Sequence, residues 1–181
     1  MIELYKNVSD YDALISEARG GNSAPLLRYL EDQGKKSALT PNQVADWLQV
    51  SSWVDNNDKV TIEIWQRYRG QMDVPARGKV AAARAYRNQK NWNDSLAVWE
   101  SVLQEEPDNV DVRTGWIMTL ADARYNQQAL TEANKWAQAH PGADSDALLA
   151  YVYHSQGKNW DALLVASLAD DVDPGKKNAK S

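Results

Sequence analysis

Cysteine and phenylalanine are both absent from this chain of 181 residues. Without cysteine there is no disulfide frame, no thiolate nucleophile and no cysteine-ligated zinc, and that absence suits an oxidising compartment as well as a reducing one. Histidine is nearly absent too: His140 and His154 are the two present, with no partner at metal-ligand spacing. There is no HExxH, no phosphate-cradling glycine loop and no GxSxG. No window reaches the roughly 18 apolar residues a membrane span requires. The opening "MIELYKNVSD" has neither a basic leader nor an apolar run before a cleavage site. Basic charge is also short, for a net charge of -5 and a pI near 5.0 disfavour non-specific binding to nucleic acid or anionic lipid. A cationic partner is favoured, modestly at physiological salt.

What is present is aromatic and periodic. Eight tryptophans and eight tyrosines accompany a hydrophobic content of 43%, enough for a folded protein. Lys90-Asn91-Trp92 returns as Lys158-Asn159-Trp160, 68 residues later. Pro41, Pro75, Pro107 and Pro141 are 34, 32 and 34 residues apart, and Trp65 and Trp99 are 34 apart. A spacing of this length marks a helix-turn-helix solenoid.

Ala76–Asn109 shows the unit best. Val80, Ala83 and Tyr86 form one stripe, "NQKNW" makes the turn, and Ser95, Leu96, Trp99, Val102 and Leu103 form the second stripe. Pro107 ends it. Ser95, Trp99 and Pro107 resemble the tetratricopeptide repeat, with its small residue, aromatic and closing proline in the second helix. Tyr86 matches the first-helix tyrosine, but Lys79 stands where the pattern has tryptophan. The following unit matches Ala129 and Pro141, with Ala133 replacing the aromatic. Upstream, Thr40 caps a helix with Pro41 at its first position; Trp47, Val50 and Val54 line that helix, and Ile64, Trp65 and Tyr68 line its partner. The chain breaks again at Gly20-Gly21-Asn22. The expected fold is all-α: a right-handed tetratricopeptide-type superhelix of four to five repeats. Its units are 8–41, 42–75, 76–109, 110–143 and 144–170, with 171–181 as a flexible tail. Trp65, Trp92, Trp99 and Trp160 serve as wedges between helices, each contributing on the order of 2 kcal/mol.

The same pattern leaves little room for catalysis. His154 falls where Tyr86 falls two repeats earlier and reads as packing; His140 sits at a helix end, where a cation suits the dipole. Glu105-Glu106 faces solvent, and Asp170–Asp173 lacks the spacing of a calcium loop. Asn7 and Asn93 fit a glycosylation pattern too short to carry weight. No enzyme, cofactor or metal is expected. A solenoid places function on the concave face, lined by first-helix residues outside the core. The candidates are Asp46 and Trp53, then Arg77, Arg84, Arg87 and Asn88, then Asp111 and Asp122, with Thr114 and Met118 beside them. Arg84 and Arg87, three apart, can fork a carboxylate or carbonyl; a solvated face with local ion pairs is the competing reading.

"LTPNQVADWLQV", "VPARGKVAAARAYRN" and "NWNDSLAVWESVLQEEPDNVDVRTGWIMTLADA", following "YDALISEARGGN", resemble the N-terminal periplasmic region of the outer-membrane poly-β-1,6-N-acetyl-D-glucosamine export porins. The likeness runs from Tyr11 to Pro141. It implies a periplasmic, non-catalytic scaffold that docks the polysaccharide de-N-acetylase or guides partly deacetylated polymer to an outer-membrane barrel. Leader and barrel strands are both missing here, so the expectation is an excised domain or a truncated product. The alternative is a generic peptide-binding adaptor, although the carboxylate-clamp pattern is not reproduced: Val80 and Arg84 occupy its leading positions.

Overall fold

The computed structural model describes residues 8–157. Among them all regular structure is helical: α1 (Val8–Arg19), α2 (Ala24–Lys36), α3 (Pro41–Ser52), α4 (Asp58–Tyr68), α5 (Ala76–Asn88), α6 (Trp92–Glu105), α7 (Val110–Asp122), α8 (Asn126–Ala139) and α9 (Ala143–Ser155). Trp160, Asp170–Asp173, the tail and the Asn7 sequon lie outside the described residues. Two units divide the chain within α6, the boundary falling between Val98 and Trp99.

Helix starts follow from local chemistry. At α3, Thr40 Oγ1 accepts from the Gln43 amide at 3.1 Å while Gln43 Oε1 accepts from the Thr40 amide at 3.0 Å, a reciprocal capping box. The Asn109 side chain caps α7 by accepting from the Val112 amide at 3.2 Å. Helix ends follow the 34-residue period in the backbone itself. Left-handed φ occurs at Gly21, Asn56, Lys90 and Arg124, one in each described first-to-second-helix turn, and at Gly157 just after α9, at intervals of 35, 34, 34 and 33 residues. At three of these ends the chain reverses with the same pair of bonds. The Gly21 amide donates to Ala18 and the Asn22 amide to Glu17; the Lys90 amide donates to Arg87 and the Asn91 amide to Tyr86; the Arg124 amide donates to Ala121 and the Tyr125 amide to Leu120. In the first echo Lys90 holds the left-handed position, and Trp92 is the first residue of α6 rather than part of its turn; the second echo, Lys158-Asn159-Trp160, lies outside the described residues.

In the first unit α3 packs on α4 and α5, and α4 on α5. Gly78 makes the α3–α5 approach possible: a Cβ there would lie 3.0 Å from Ala45 Cα. Trp47 and Tyr68 meet ring to ring at 6.1 Å. Ser95, the small residue of the repeat, is fully buried and donates to the Ala83 carbonyl at 2.8 Å. In the second unit Trp99 is buried against α7, its Nε1 donating to Thr119 Oγ1 at 3.0 Å, and Thr119 in turn donates to the Gly115 carbonyl at 2.7 Å. Trp65 is buried as expected, whereas Trp92 is only half-buried. Val54 is exposed, because α3 ends at Ser52 and leaves it in the turn. His154 is exposed rather than packed: Val152 takes the buried place near the end of α9.

Candidate binding surface

The first helices of the first unit are joined by one polar network centred on Asp46. Its Oδ2 accepts from the Tyr11 hydroxyl of α1 at 2.7 Å, and its Oδ1 pairs with Arg77 Nη1 of α5. Arg77 also donates to Gln49 Oε1 at 2.9 Å and to the Asn42 carbonyl at 3.2 Å. Asp46 and Arg77 are therefore brought together, and each takes up much of the other's hydrogen-bonding capacity. Asn88 lies at the end of α5, where its Nδ2 donates to Asp58 Oδ1 at 3.2 Å. Arg84 is exposed in mid-helix, and Arg87 is half-buried and engaged. Trp53 caps α3 with 49% of its surface exposed.

In the second unit Asp111 is exposed in the first turn of α7, where a carboxylate suits the helix dipole. Asp122 accepts from the Tyr151 hydroxyl of α9. Thr114 and Met118 are half-buried. The recurring element is thus a carboxylate on one first helix that receives a tyrosine hydroxyl from a neighbouring first helix. Sequence reasoning found Asp46 and Asp122 but missed Tyr11 and Tyr151. Those tyrosines stand 35 and 29 residues from their acceptors, and neither distance is the repeat length.

Elsewhere in the second unit Arg113 lies over two rings, 5.4 Å from Trp116 and 5.8 Å from Trp136. Its Nη2 donates to the Pro107 carbonyl at 2.7 Å, and His140 stacks on Trp136 at 3.8 Å. Lys79, in the place of the repeat's tryptophan, is buried with its ammonium 3.6 Å from Asp73 Oδ1. Among the described residues no group of three or more His, Cys, Asp or Glu is placed to hold a metal ion, and no helix is long and apolar enough to cross a membrane.

Burial, then the bond to Asp46 and the charge of that carboxylate, pushes the Tyr11 phenol far above its ordinary 10.0. Burial likewise raises Tyr86. The unfolded chain would release these protons near pH 10, while the folded chain holds them to higher pH. Their contribution to stability is complete below about pH 10 and is lost as pH rises further. Urea unfolding followed by circular dichroism should give a midpoint that is level up to about pH 9 and falls above pH 10. Tyr11→Phe should flatten that fall; an unchanged slope in the variant would contradict the assignment.

Stacked helical hairpins, a small residue buried early in a second helix and a recurrent left-handed turn define a tetratricopeptide-type helical repeat. No protein-family profile matches the chain. Among curated proteins it is related to the poly-beta-1,6-N-acetyl-D-glucosamine export protein of Escherichia coli K12, at 46% identity over 156 residues. The same identity holds against the export protein of Escherichia coli O157:H7. The alignment takes in 84% of this chain but 18% of the relative, so the likeness is to one region of a much longer protein. Among solved structures, MamA of AMB-1 superposes with a TM-score of 0.70 at 17% identity, covering 91% of this chain and 97% of that one. MamA of MSR-1 gives 0.68 at 15%, covering 88% and 91%. At such identities the MamA likeness concerns the fold alone.

Proposed function

We propose that this chain is a non-catalytic scaffold domain of a poly-β-1,6-N-acetyl-D-glucosamine export protein, working in the periplasm. There it docks the de-N-acetylase, guides partly deacetylated polymer toward an outer-membrane barrel, or does both. One observation carries the reading: the 46% identity to the export protein across 84% of the chain. Electrostatics agree with it, because deacetylation exposes amines and a protein of net charge -5 attracts a cationic polymer. The five-unit division and the first-helix candidates belong to the same proposal. Asp46, Arg77, Asn88 and Asp122 are already engaged within the protein, so Trp53, Arg84 and Asp111 are the candidates most open to a partner, with Arg87 beside them.

Calorimetric titration with the de-N-acetylase, with partly deacetylated β-1,6-glucosamine oligomers and with short C-terminal peptides tests this. Binding of the enzyme or the oligomers is expected, with the oligomer affinity falling as salt rises. Arg84→Ala and Arg87→Ala should weaken the docked protein. Binding of peptides alone, untouched by either substitution, would instead identify a generic peptide adaptor.

A further inference from the structure

Five large hydrophobic side chains are exposed among the described residues, and three of them, Trp53, Val54 and Val60, share the α3–α4 corner. They are 49%, 37% and 43% exposed. The corner is braced from within. Ser51 Oγ and Thr61 Oγ1, both buried, are 2.8 Å apart, and Asn57 Nδ2 donates to Ser51 Oγ at 2.8 Å and to its carbonyl at 3.1 Å. The Trp53 amide donates to Val50 and the Val54 amide to Ser51. The indole is therefore carried on a backbone that is fixed and does not fold over to cover it.

The size of the patch narrows what it can take. A half-exposed indole and two valines offer at most a few hundred Å², well short of the about 800 Å² per partner of a stable protein interface. The scale suits a single ring. Charge narrows it further: between Ser51 and Glu63 the sequence carries Asp55, Asp58 and Glu63 against one lysine, Lys59, and Asp58 Oδ1 accepts from Asn88, leaving Oδ2. An acidic corner repels anionic headgroups and favours amines. A tryptophan face attracts both C–H-lined rings and cations.

We infer that the Trp53 corner is a saccharide subsite: the C–H face of one amino-sugar ring of a polymer lies on the indole, with Asp55 and Asp58 as acceptors for its hydroxyls or amine. This rests on the reading that the chain handles a glucosamine polymer, and adds where one ring is held and by what. The stacking does not depend on the nitrogen substituent, so acetylated and deacetylated rings both use it.

The whole chain, ¹⁵N-labelled, is titrated separately with β-1,6-linked N-acetylglucosamine oligomers, their deacetylated counterparts and spermidine, while the tryptophan indole signals are followed. Both oligomers should shift the Trp53 indole, and spermidine, which offers amines but no ring to stack, should shift it markedly less. Trp53→Ala should weaken both oligomers roughly tenfold, Trp53→Tyr should restore most of the loss, and both variants should keep wild-type helicity, since the side chain is half in solvent. Wild-type affinity in Trp53→Ala, or an equal indole shift with spermidine, overturns the subsite. Oligomers that bind with Trp53 silent overturn it while leaving the polymer-handling reading in place. Oligomers that do not bind at all overturn it too, and the de-N-acetylase titration then decides the wider reading.

Discussion

Trp99→Ala should lower the unfolding free energy by about 3–5 kcal/mol, measured by urea denaturation. The ring is among the largest fully buried side chains, and its Nε1 is bound to Thr119. Truncation therefore opens a cavity and leaves a buried hydroxyl without its donor. The ring also explains a glycine in the middle of α7. A Cβ on Gly115 would come within 2.5 Å of Trp99 Cη2 and 2.6 Å of Cζ2. In an ordinary helix interior, glycine to alanine gains about 0.5–1 kcal/mol. Gly115→Ala should instead lose about 1–2 kcal/mol, because an indole wedged in a close-packed site cannot step aside. In the Trp99→Ala background the same substitution should become neutral or stabilising. That reversal of sign in the double-mutant cycle tests the contact itself; additive losses would show that Gly115 is needed for some other reason.

Gly78→Val should cost about 2–3 kcal/mol. Its Cβ would sit 2.8 Å from Val74 Cγ1, 3.0 Å from Ala45 Cα and 3.2 Å from Ala45 Cβ. Ala45 belongs to the middle of α3, so the strain is relieved only by moving α3 away from α5. That shift would also stretch the Arg77–Asp46 pair one residue along, coupling the packing of the two helices to the polar network that joins them. Gly70→Ala is the control: nothing lies within 4 Å of its added Cβ, and its denaturation midpoint should stay close to wild type. Equal losses at the two glycines would mean that backbone freedom, not helix spacing, is what position 78 supplies.

The hairpins were legible because prolines and tryptophans recur at nearly one interval, and the position of Ser95 in that interval foretold a buried small residue. Lys79 broke the side-chain pattern, yet the fold keeps it inside with Asp73 close to its ammonium. His154 misled for the opposite reason. It has the register of Tyr86, but α9 turns Val152 inward in its place. Candidate surface residues were only partly readable. That Asp46 and Arg77 lie on first helices follows from phase alone. That they bind each other, and that Tyr11 joins them, depends on how far apart two helix axes settle, which Gly78 determines through a missing side chain. Exposure of Trp53 followed from where α3 stops, and helix ends are the part of a periodic pattern that hydrophobic spacing defines least.

The left-handed turn at Lys90 has a practical side. A lysine there holds a backbone shape that only glycine adopts without strain, and its side chain is exposed. Exchanging it for glycine deletes a positive charge while easing the turn. Should such a protein lose affinity for an acidic partner, the missing ammonium would be the cause, for the scaffold itself would be no weaker.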